Sequence, residues 1–178
     1  MLRNPRIIIA MFALAVGVSS MACGGGTQID NPQPTVVTTS PSGLKVTAAI
    51  SAASLGESYA NVQLAFLADA ASKSAVIEVV SVRLVDATTR SVVDTLKASE
   101  PQVWIGNGYA PWDQRVTPRG DLKASYRLST PNWSTIDDGT GRGSAYSRTF
   151  KLEVTLRIDG IDLLIMSTDL HREAQFQT

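Results

Sequence analysis

Between Phe150 and Ile158 the apolar residues fall at every second position, Phe150, Leu152, Val154, Leu156 and Ile158, with Lys151, Glu153, Thr155 and Arg157 between them. A period of two sorts side chains onto two faces only in an extended chain; wound into a helix, the same residues would be scattered around the axis. The segment is therefore expected to be a half-buried antiparallel strand with one face on a core. Asp159-Gly160 follows, the kind of pair a type I′ hairpin turn prefers because both of its central residues take positive φ. Ile161 to Ser167 then resumes an apolar run, which completes a C-terminal hairpin.

The same alternation recurs upstream. Val62, Leu64, Phe66 and Ala68 form one apolar row, and Leu122, Ala124, Tyr126 and Leu128 another. Val76 to Val85 is a nearly continuous β-branched run, with Val80, Val82 and Leu84 assigned to one face. A polar turn over residues 86–90 separates it from Val92 to Leu96, which suggests a second hairpin. Leu44, Val46, Ala48 and Ile50 give a weaker first strand, and Gln102 to Ile105 a short irregular one. Seven to eight strands without an amphipathic helix predict an all-β antiparallel sandwich of two sheets over residues 44–178, the alternative being a small β-barrel. The succession of strands from Leu44 to Leu170 resembles the immunoglobulin-like domains of bacterial surface lipoproteins. The Cys-Trp-Cys core signature of antibody-type domains is absent, and the resemblance implies architecture and no particular function.

The N-terminus reads as an address. Arg3 and Arg6 form a short basic region, Ile7 to Val18 is apolar or small throughout, and Ser19-Ser20-Met21-Ala22 precedes the only cysteine of the 178 residues. This is the three-part layout of a secretory signal peptide over residues 1–22, and its apolar run is shorter than the roughly 20 residues a membrane-spanning helix needs. Ser20-Met21-Ala22-Cys23 resembles the lipobox of bacterial lipoproteins, with Ala22 as the small residue before the cysteine and Ser20 where leucine is usual. The resemblance implies that Cys23 becomes the first mature residue and carries acyl chains. Each buried CH₂ contributes about 0.8 kcal/mol, so several chains together anchor a protein stably. Gly24 after the cysteine resembles outer-membrane sorting. Residues 23–43, with Pro32, Pro34 and Pro41 among Gly, Ser and Thr, are expected to form a tether, although Thr35 to Thr39 contains the β-formers Val36 and Val37 and is an alternative edge strand.

Charge narrows the partners. The full chain has sixteen basic and sixteen acidic residues; without Arg3 and Arg6 fourteen basic residues remain, a net charge of −2. A duplex-binding surface is normally strongly basic, so no nucleic acid partner is expected. The expected partners are the membrane, through the lipid anchor, and an envelope protein or glycan.

Catalytic signatures are sparse. With one histidine and one cysteine, no Cys/His zinc site is expected, nor any other metal or cofactor. Ser167, Asp169 and His171 are too close along the chain to converge as a triad. Asp137 to Gly143 has neither the glutamate of a calcium loop nor the lysine of a phosphate loop. The remaining constellation is aromatic: Trp104, Tyr109 and Trp112 in a Gly- and Pro-rich segment, and Trp133 in a second loop. Tryptophan and tyrosine carry much of the energy of interfaces and stack on sugars, so these four are the candidate contacts, the alternative being that they cap the ends of the core. The expected function is that of a non-catalytic, lipid-anchored envelope protein that binds a protein or glycan. The alternative is an envelope enzyme or small-ligand carrier with a barrel interior.

Overall fold

A computed structural model describes residues 35–70, 73–137 and 144–174. Cys23 and the rest of the expected signal lie outside the described residues, as does most of the Asp137 to Gly143 loop. The strands are β1 (Thr35–Thr39), β2 (Lys45–Gly56), β3 (Ala60–Ala68), β4 (Ala75–Asp86), β5 (Val92–Leu96), β6 (Gln102–Trp104), β7 (Tyr109–Pro111), β8 (Arg115–Val116), β9 (Asp121–Leu128), β10 (Phe150–Ile158), β11 (Ile161–Met166) and β12 (Arg172–Glu173). One short helix, α1 (Trp133–Ile136), and one 3₁₀ turn, Ala145–Ser147, stand between β9 and β10.

These strands form two sheets, and neither closes into a barrel. The larger runs β1-β2-β3-β9-β6-β7, with β12 parallel to β2; the smaller runs β11-β10-β4-β5, with β8 beside the start of β4. With β2, β3, β9 and β6 as strands A, B, E and D, and β11, β10, β4 and β5 as G, F, C and C′, this is the strand order of an immunoglobulin-like sandwich. The named strands outnumber the seven or eight expected because β1, β7, β8 and β12 are short additions at the edges.

The inner faces follow the period-two rows. Val62, Leu64, Phe66 and Ala68 of β3 meet Leu152, Val154, Leu156 and Ile158 of β10 in one buried cluster. Burial of such side chains contributes about 1.5–3 kcal/mol each. The Asp159-Gly160 turn has φ of 45° and 87°, the two positive values of type I′. The Asp159 carboxylate also accepts from the Val76 backbone N–H at 2.8 Å, so the turn is tied to the neighbouring strand.

Two expectations need correction. The tether over 23–43 is too long, because Thr35–Thr39 pairs antiparallel with Ala49–Lys45, and residues 40–43 form a turn in which the Gly43 N–H donates to the Ser40 carbonyl at 2.8 Å. The edge-strand alternative is the one realised. Val80 does not share an inner face with Val82 and Leu84; it is 44% exposed. The register against β10 skips it, Ser81 facing Thr155 and Val79 facing Leu156. One extra residue in a strand reverses the alternation beyond it, so Ile77 faces inward on one side of the bulge, and Val82 and Leu84 on the other.

Candidate binding surface

The four candidate aromatics divide into two pairs. Trp112 and Trp133 are only 9% and 7% exposed, so both belong to the core and not to a contact surface. Trp112 packs on Phe66 with ring centroids 5.5 Å apart and donates its indole N–H to the Arg115 carbonyl at 3.0 Å. Trp133 lies 5.7 Å from Phe150 and donates to the Gly56 carbonyl at 2.9 Å. Buried tryptophan needs a partner for its single donor, and both find a backbone oxygen.

Trp104 and Tyr109 behave oppositely, at 59% and 57% exposure. They face each other across the β6–β7 hairpin, paired in register, with centroids 5.2 Å apart and planes at 72°. That edge-to-face geometry suits the quadrupoles of both rings. The hairpin loop is closed by the Ile105 N–H donating to the Gly108 carbonyl at 3.0 Å, and Gly106 supplies the positive φ of 93°. Ile105 at its tip is 62% exposed. Three large apolar side chains therefore stand clear of the core on one hairpin.

Beside the hairpin lies a groove of about 820 Å³ on the outer face of the larger sheet. A second bulge shapes its floor: in β2, Ile50 faces Leu64 and Ala52 faces Gln63, so Ser51 is the extra residue. Its hydroxyl donates to the Gln63 side-chain carbonyl at 3.0 Å, and the Gln63 amide donates to the Ser125 hydroxyl at 3.3 Å. This polar chain runs across β2, β3 and β9. Beyond the bulge the outward residues of β2 are the small Ala52 and Ser54, which leaves the floor low. The alternation also turns Asn61, Gln63 and Gln102 outward from β3 and β6, where charged residues would satisfy solvent equally well. That run of neutral amides was the available sign of the groove in the sequence.

No known family model and no curated protein matches the chain.

The other candidates take structural places. Ser167 is 2% exposed; its hydroxyl donates to the Thr168 carbonyl at 2.7 Å and accepts from the Leu152 N–H at 2.9 Å. His171 is exposed. Asp137 is engaged by Arg172 at 2.9 Å. Arg172 in turn stacks between Trp133 and Tyr146, 4.8 and 4.1 Å from the ring centroids, which holds β12 to that end of the sandwich. Among the described residues no group of three His, Cys, Asp or Glu is placed to hold a metal ion. The Tyr126 hydroxyl is buried without a partner among the described residues, and burial pushes its phenol well above the ordinary value.

Proposed function

We propose that this protein is a non-catalytic interaction module of the cell envelope, anchored by lipid on Cys23 in the outer membrane and making contact through the β6–β7 hairpin. The observation that carries the reading is the exposed Trp104–Tyr109 pair with Ile105 beside it. Aromatic residues held rigid before a partner arrives lose little entropy on binding, which is why they concentrate binding energy. The signal layout of residues 1–22 and the cysteine that follows support the anchor.

The contact is tested by pull-down from envelope extracts. Trp104→Ala with Tyr109→Ala should abolish capture while leaving the thermal transition near that of the wild type, because both side chains are exposed. Capture that survives the double change removes the hairpin from the contact. The anchor has a separate test: Cys23→Ala should move the protein from the membrane fraction to the soluble fraction and end fatty-acid labelling. Labelling that persists contradicts it.

A further inference from the structure

We infer that the groove beside the hairpin is a binding site for a short neutral oligosaccharide, with Tyr109 as its stacking wall and Gln63 and Gln102 as its polar contacts. The inference rests on the interaction-module reading and names the ligand class of that same surface.

Its chemistry is that of a neutral, hydroxyl-rich ligand. The floor offers side-chain amides at Asn61, Gln63 and Gln102 and a hydroxyl at Ser125, groups that both donate and accept and so match sugar hydroxyls in either sense. Charge gives no purchase for an ion, since one carboxylate, Glu100, and one guanidinium, Arg127, line the groove together. The Ser51–Gln63–Ser125 chain holds the Gln63 amide in one orientation before any ligand arrives. Tyr109 rises at one end, exposed and packed at 72° to the Trp104 ring, and an exposed aromatic ring is where the apolar C–H face of a pyranose stacks.

Dimensions agree. The floor crosses β2, β3, β9 and β6, and four strands about 4.8 Å apart span about 14 Å, room for a chain of a few sugars. A groove of about 820 Å³ falls within the range of small-molecule sites. An extended peptide would instead add to an open strand edge; β3 and β9 are paired on both sides where they line the floor, and only the three floor residues of β2, Ala52, Ala53 and Ser54, between those that meet β1 and those that meet β12, lack a second neighbour among the described strands.

The full chain in zwitterionic detergent is titrated by calorimetry with the tetramers of chitin, cellulose and maltodextrin, and with tetragalacturonate as a charged comparison. At least one neutral tetramer should bind, and tetragalacturonate should not. Gln102→Ala and Tyr109→Ala should each weaken binding about five- to tenfold, the loss of one hydrogen bond or one stacking contact. Gln102 is exposed, so its replacement leaves the fold intact. Failure of all three neutral tetramers overturns the saccharide site, as does binding indifferent to Gln102→Ala. If the tetramers fail while envelope capture still depends on Trp104 and Tyr109, the groove assignment falls and the module reading stands. If the tetramers bind through Gln102 while capture ignores the hairpin, the module reading fails instead.

Discussion

Replacing Asp86 by alanine is expected to cost the domain about 3–5 kcal/mol, because it leaves the Arg148 guanidinium buried without its counter-charge. The two side chains are 6% and 9% exposed and meet at 2.7 Å, with a second contact from the Arg148 Nε at 3.1 Å. Arg148 also donates to the Ile136 carbonyl at 3.0 Å, joining the end of β4 to the end of α1. Burial opposes ionisation of Asp86, but hydrogen bonds from Thr89, Arg148 and Thr88 outweigh it and lower its carboxyl from 3.8 to about 2. A carboxyl that titrates lower folded than unfolded stabilises fully above the unfolded value and loses that contribution as pH falls towards the folded one. Asp86 should therefore help drive acid unfolding between about pH 4 and pH 2, and Asp86→Asn should flatten the pH dependence there. Denaturant titration of Asp86→Ala checks the size. Asp86→Leu with Arg148→Met should recover part of the loss, since it removes both buried charges together but leaves the Thr88 and Thr89 N–H groups and the Ile136 carbonyl without these partners.

Trp133→Ala is expected to lose a similar amount, about 3–5 kcal/mol by the usual cost of deleting a buried aromatic. Three contacts disappear together: the packing on Phe150, the donor to Gly56 and the ring beneath Arg172. Trp133→Phe keeps most of the packing and should lose less, which separates the ring from the hydrogen bond. Thermal unfolding of both variants decides it. A loss near zero for alanine would mean that this end of the sandwich closes without the tryptophan.

How much of this was legible depended on how far along the chain each cause lay. The row from Phe150 to Ile158 and the turn at Asp159-Gly160 were readable because strand alternation and turn chemistry are local. The bulges at Val80 and Ser51 were not, because an inserted residue shows only in the register of the partner strand. Strand order was equally hidden: β9 lies between β3 and β6, a pairing that no window of sequence contains. The four aromatics looked alike as residues in loops, yet Trp112 and Trp133 found backbone acceptors inside while Trp104 and Tyr109 found each other outside. Asp86 and Arg148 are 62 positions apart, and nothing near either marks the other. The groove draws Ser54, Gln63, Gln102 and Ser125 from four strands, so its neutral amides were visible singly and their convergence was not.

The central claim, that the β6–β7 hairpin is the surface that meets a partner, is tested most directly by photo-crosslinking in living cells. A photoreactive residue replaces Ile105 at the hairpin tip in one strain and Val80 on the outer face of the opposite sheet in another. Discrete adducts should form from position 105 and not from position 80, and Trp104→Ala with Tyr109→Ala should remove them. Adducts at position 80 alone, or at both positions equally, would contradict the assignment.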